Sequence, residues 1–128
     1  MSDLSFYAAM LRFVANKTAP EMAHDARGAA MMAALIRAGT CFEAGQTLRV
    51  PAAELELTAR AFAGFAAFLQ KQILPETVAY GNVAGEKQVR WAVDTGMATV
   101  SLLLSRAALQ EGQDVELSPP PPLSLSAE

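Results

Sequence analysis

The chain has 128 residues, with 10 Lys and Arg against 13 Asp and Glu, for a formal net charge of −3. This length fits one domain, and the mild acidity argues against a broad attraction to nucleic-acid backbones, so no nucleic-acid partner is expected. Hydrophobic residues make up 52% of the chain, with many alanines and few β-branched residues, which predicts an all-α fold. The single cysteine, Cys41, excludes an intramolecular disulfide and a cysteine-rich zinc site.

Apolar periodicity predicts two helices in the first third of the chain. Apolar side chains recur at three- and four-residue spacing from Asp3 to about Lys17, over a wide face. The segment Thr18–Glu21 then has the pattern of a capping box, with proline in the first turn. We therefore expect the first helix to end there and a second helix to run over Ala19–Ala44, with Gly45 as its C-cap.

Two further helices are expected after a short connection. The third covers Pro51–Pro75 and is followed by a turn signal at Tyr80–Asn82. The fourth covers Ala84–Glu111, with Gly112 as its cap. Four amphipathic helices with short loops predict a four-helix bundle-like domain over residues 1–112.

A proline-rich segment follows the last helix. Residues 113–128 contain four consecutive prolines, which cannot propagate a helix and favour an extended polyproline II tail. We expect the tail either to dock on an apolar surface of the same or another subunit, or to be a solvated linker or a ligand of a partner. Its predicted partner-binding residues are Pro119, Pro120, Pro121, Pro122 and Leu123.

Methionine and phenylalanine side chains give the main candidate surface on the helices. The set is Met22, Met31, Met32, Met97, Phe62, Phe65 and Phe68. Flexible thioethers and aromatic rings suit an adaptable surface for an amphipathic partner helix, and the same residue types also form cores. Because the three phenylalanines cannot all face one narrow seam, Phe68 is predicted to bind a partner. Trp91 is predicted to do so as well, or to form a wall of a ligand cavity.

One pair of residues has the spacing of a metal-binding element. Glu21 and His24 are three residues apart, as in the Glu-x-x-His element of ferritin-like bundles, which places both side chains on one helical face. A dinuclear site needs a second such element, which only a homodimer would supply here. The alternative is that Glu21 belongs to the capping box and that His24 is an ordinary exposed or interfacial residue near the helix start.

Gly28, Gly64 and Gly96 are among the glycines that fall inside predicted helices. Each costs about 1 kcal/mol of helix stability relative to alanine, so each needs a structural reason. Close approach of neighbouring helices is one explanation. An apolar ligand cavity near Gly64 and Gly96 is the other.

We find no catalytic constellation in the sequence, and we expect no cofactor. The prediction is a non-enzymatic helical interaction protein, such as an adaptor, an assembly factor or a small regulatory or structural subunit, which acts through self-association and partner docking. The alternative is a small-molecule- or metal-binding bundle. Apolar residues on more than one helix face predict a homo-oligomer, and the lack of a signal peptide or a membrane span predicts a cytoplasmic location.

Overall fold

A computed structural model of the chain describes residues 3–22, 24–109 and 112–121. The helices and strands are α1 (Asp3–Met22), α2 (Ala26–Glu43), β1 (Leu48–Val50), α3 (Leu55–Phe68), α4 (Leu74–Ala79), α5 (Val83–Leu109) and β2 (Val115–Leu117). The predicted all-α fold is confirmed, with the addition of one small two-stranded sheet.

The boundary predicted between the first two helices is wrong. Helix α1 continues through Thr18 and contains Pro20 in its last turn. The Thr18 hydroxyl donates to the carbonyl of Val14 at 2.8 Å, so it bonds back within α1 and caps nothing. The N-cap of α2 is Asp25, whose carboxylate accepts from the N–H of Gly28 at 2.7 Å.

The end predicted for the third helix at Pro75 is also wrong. A π-helical turn over Leu69–Ile73 joins α3 to α4, and Pro75 lies in the first turn of α4, where its missing N–H breaks no bond. The predicted turn then follows, with Gly81 at φ 70°. Asn82 accepts a hydrogen bond from the N–H of Gly85 at 2.9 Å and so caps the start of α5.

The helices pack as two pairs. Helices α1 and α2 form a hairpin, α3 packs along α5, and α2 also contacts α3. The core lies between these pairs and draws on both of them. Its largest fully buried side chains include Tyr7, Leu11, Phe62, Phe65, Leu69 and Leu103.

Tyr7 stands at the centre of an aromatic cluster that ties α1 to its neighbours. Its ring packs edge-on against Phe65 at a centroid distance of 5.5 Å and against Trp91 at 5.6 Å. The Phe42 ring stacks on it at 6.2 Å. The Tyr7 hydroxyl is buried and makes no hydrogen bond within the described residues. Burial raises its pKa, because the charged phenolate would lose its solvation.

The first part of the tail is a strand that packs on the bundle. Strand β2 pairs antiparallel with β1, with Leu117 opposite Leu48 and Val115 opposite Val50, and these four side chains are buried. Residues Val115–Leu117 are thus a β-strand, whereas polyproline II was expected of the tail, and the pairing with β1 was not predicted.

Asp114 attaches the start of β2 to β1 and to the residue that follows Pro51 after it. Its carboxylate accepts from Arg49 Nε at 2.7 Å and from the N–H of Ala52 at 3.0 Å. The Ala52 N–H and then the Arg49 guanidinium lower the pKa of the Asp114 carboxyl, because both favour its charged form. The tail is therefore attached by polar bonds as well as by apolar burial.

Candidate functional site

An apolar groove opens between α1, α2 and α3. Its volume is about 260 Å³. Met22 lines it from the end of α1, Met31 and Met32 from α2, and Phe68 from the end of α3. The α1–α2 turn brings Met22 next to the two methionines that follow it in the chain. We call this surface the methionine groove.

The wall of the groove on α1 follows from four-residue spacing. Val14, Thr18 and Met22 all line the groove, as residues on one face of a helix do. Since the Thr18 hydroxyl donates to the Val14 carbonyl, it is already satisfied within α1. This wall therefore offers mainly apolar contacts to an occupant.

Gly64 lines the groove and is exposed. A Cβ added there would meet no atom within 4 Å, so the close packing predicted for this glycine is wrong. The alternative, an open apolar space near Gly64, agrees with the geometry. This glycine lowers the helix propensity of α3 without any packing gain inside the described residues.

The other helical glycines are explained by close approach. A Cβ on Gly96 would lie 3.3 Å from Cδ2 of Phe65, so α5 and α3 approach closely there, as predicted. A Cβ on Gly28 would overlap the carbonyl of Met22 in the α1–α2 turn. Gly39 plays the same part between α1 and α2 and was not singled out in the sequence, because nothing local distinguishes it.

Phe68 is the predicted partner-binding residue that does line the groove. It is half-buried, and its ring lies 6.3 Å from the exposed ring of Phe13. Trp91 lies elsewhere, half-buried against Tyr7, and does not line the groove. Met97 is exposed on α5 and does not line it either.

Those predicted tail residues that the structure describes do not line the groove. Pro119 and Pro120 are half-buried, and Pro121 is exposed. Pro122 and Leu123 lie outside the described residues. Partner binding by these prolines stays a prediction.

The Glu-x-x-His arrangement predicted on one helix is not formed. Glu21 lies in the last turn of α1, whereas His24 lies in the turn before α2. Both side chains are exposed, and the change of direction between them removes the shared helical face. Within residues 3–22, 24–109 and 112–121, no group of three or more potential metal-ligating side chains gathers.

A second, larger cavity lies beside the sheet. It has a volume of about 670 Å³ and is lined by Arg49, Arg106, Asp114 and Glu116 among others. Arg49 and Asp114 already bond to each other at 2.7 Å. The charges here are mixed, and the one close pair serves to hold β2.

Comparisons with known protein families, with curated proteins and with solved structures find no match to this chain. In the part of the chain that the structure describes, no helix is both long and apolar enough to cross a membrane. The candidate site therefore depends on the geometry of the groove alone.

Proposed function

We propose that this chain is a non-enzymatic helical interaction protein, and that the methionine groove receives the apolar side chains of an amphipathic helix from a second protein. The observation that carries the proposal is an open apolar groove between three helices, lined by three methionines and left unfilled at Gly64. Methionine suits this role because its flexible thioether adapts to the shape of a partner.

The size and lining of the groove suit a few apolar side chains. Its volume is about 260 Å³, and its lining is apolar apart from Thr18, Lys71 and Gln72. A partner helix needs only to insert a few residues at spacings of three and four. Phe68 on one wall supplies the aromatic contact that often anchors such interfaces.

The test fills the groove without disturbing the core. In the variant Gly64→Leu the new side chain enters open space, so we expect folding to be retained and helix stability to rise. The probe is a fluorescent 16-residue amphipathic peptide with leucines at three- and four-residue spacing, and the readout is its anisotropy. We expect binding by the native chain and at least tenfold weaker binding by the variant. Ala79→Leu adds the same side chain at an exposed position away from the groove.

Three outcomes would contradict the proposal. The first is that the native chain does not bind the peptide, and the second is that the two variants bind it equally. The third is that Gly64→Leu changes the oligomeric state, which would point to a second copy of the chain as the occupant. The small-molecule alternative is favoured if a monomer binds an apolar dye, Gly64→Leu abolishes this binding, and the peptide does not compete with the dye.

Self-association is the second part of the proposal, and we assign it to the outer face of α5. The exposed apolar residues there are Met97, Leu102, Leu104 and Leu109, with Ala98, Ser101, Ser105 and Ala108 between them. No charged residue lies between Asp94 and Arg106. An antiparallel pair of α5 helices brings Asp94 of each copy towards Arg106 of the other, whereas a parallel pair sets like charges together.

Sedimentation velocity tests this assignment. We expect the native chain to form dimers at micromolar concentration and Leu104→Glu to shift it to a monomer of 13.6 kDa. Val83→Glu places the same charge on an exposed apolar residue at the start of the same helix, outside the proposed face, and is expected to leave the dimer intact. A native monomer, or equal effects of the two variants, rules the assignment out.

A further inference from the structure

The edge of the methionine groove on α3 carries two cations. Lys71 lines the groove from the π-helical turn, and Arg60 lies four residues before Gly64 on the exposed side of α3. Helical spacing places Arg60, Gly64 and Ala67 along one edge that leads to Lys71. Eleven residues separate the two cations, which corresponds to about 16 Å along a helix.

Four of the seven arginines are held by carboxylates, whereas Arg60 and Lys71 belong to the cations that have no such partner among the described residues. Arg12, Arg37, Arg49 and Arg90 each pair with a carboxylate, at distances from 2.6 to 3.4 Å. Neither Arg60 nor Lys71 makes an ion pair or a side-chain hydrogen bond with any residue in the described ranges. In a chain with a net charge of −3, Lys71 thus places an unpaired positive charge in the lining of the methionine groove, and Arg60 places a second one further along α3.

We infer that the helix received by the groove carries acidic residues beside its apolar anchors, about three turns apart, so that one meets Arg60 and the other Lys71. This inference rests on the proposed function and adds the charge of the partner. The apolar anchors supply most of the affinity, since an ion pair exposed to water contributes little. The charges select between partners and speed their association.

The experiment compares two peptides that differ only in the sign of their flanking charges. Both are 16-residue amphipathic helices with the same leucine face, one with glutamates at the flanking positions and the other with lysines. At 50 mM salt we expect the glutamate peptide to bind about tenfold more tightly. At 500 mM salt we expect the two affinities to approach each other, because salt screens exposed charges.

Charge reversal on the protein identifies the residues responsible. In Arg60→Glu/Lys71→Glu we expect the preference to invert, so that the lysine peptide binds more tightly. Lys71→Glu alone is expected to remove most of the preference, because one cation then faces the peptide beside one new carboxylate. Lys87→Glu makes the same change at an exposed lysine of α5 that does not line the groove, and is expected to preserve it.

The possible failures separate the inference from the proposed function. If neither peptide binds, the proposed function is wrong and the inference falls with it. If both bind equally to the native chain and both lose affinity in Gly64→Leu, the groove receives helices without charge selection and only the inference is wrong. If vesicles containing phosphatidylserine bind more tightly than the glutamate peptide, the cations serve a lipid surface, which also overturns it.

Discussion

Tyr7 shows how one buried residue affects the whole core. Its ring joins three aromatic neighbours, while its hydroxyl is buried without a hydrogen-bond partner in the described part of the chain. Tyr7→Phe removes this hydroxyl and keeps the ring. We expect its free energy of unfolding to be unchanged or higher by about 1 kcal/mol, as measured by urea denaturation at pH 8.

The same residue predicts a dependence on alkaline pH. Burial raises the pKa of Tyr7 in the folded chain, so above a pH of about 10 the unfolded chain ionises this phenol while the folded chain keeps it neutral. Stability contributed in this way is present below the unfolded pKa and is lost as pH rises above it. Between pH 9 and 11 we expect Tyr7→Phe to lose less stability than the native chain. Tyr80→Phe, at a residue that is 87% exposed, should retain the native slope.

Gly96 tests the close contact between α5 and α3. Because a Cβ there would lie 3.3 Å from the Phe65 ring, a larger side chain must displace a fully buried phenylalanine. We expect Gly96→Leu to destabilise the chain by about 1 to 3 kcal/mol in thermal or urea unfolding. Gly96→Ala is expected to cost much less, since its gain in helix propensity opposes the small clash. Stabilisation by both variants contradicts the close contact.

At the level of elements, two residues are candidates for the N-cap of α2, and mutation distinguishes them. Asp25 accepts a hydrogen bond from the N–H of Gly28, whereas the Thr18 hydroxyl bonds back within α1. We therefore expect Asp25→Ala to lower the free energy of unfolding by about 1 kcal/mol and Thr18→Ala to change it by less than about 0.5 kcal/mol. If urea denaturation showed a larger loss of stability for Thr18→Ala than for Asp25→Ala, Thr18 would be the N-cap, as the sequence predicted.

The sequence predicted the helices better than their ends. Apolar periodicity identifies α1, α2, α3 and α5, because burial of one face determines it. At Thr18 and Pro20 the local capping signals pointed to a break, but Val14, Thr18 and Met22 continue one face of α1 along the groove, and a proline in a last turn removes few bonds. Local signals of this kind are overridden by packing that only the folded chain reveals.

The short strands and the groove had no local signal strong enough to find them. Strands β1 and β2 have three residues each, and each pairs with a segment far away in the sequence. The methionines and phenylalanines that predict an adaptable surface include Met97 and Phe62, which do not line the groove. Only the folded chain, through its α1–α2 turn, brings the methionines of the groove together. Sequence spacing also could not tell the open site at Gly64 from the packed one at Gly96.

For the whole molecule, truncation separates the strand from the prolines. Ending the chain at Gly112 removes β2 and uncovers Leu48 and Val50, so we expect a lower melting temperature and apolar dye binding with little change in helical content. Ending it at Ser118 keeps β2, Asp114 and the buried Leu117. We expect this longer form to melt close to the intact chain. If the two forms melt alike, the strand contributes little.

The bond between Arg49 and Asp114 spans 65 positions of the sequence. The β1–β2 ladder thereby closes a ring that contains α3, α4 and α5, while the α1–α2 hairpin lies outside it. Closing so long a loop costs conformational entropy before any contact repays it, so this ladder is expected to form late in folding. During synthesis, β1 leaves the ribosome before β2 has been made, and its apolar side chains stay uncovered until then. The β1–β2 pairing therefore sets an order of events, because the sheet cannot form until the segment after α5 has been synthesised.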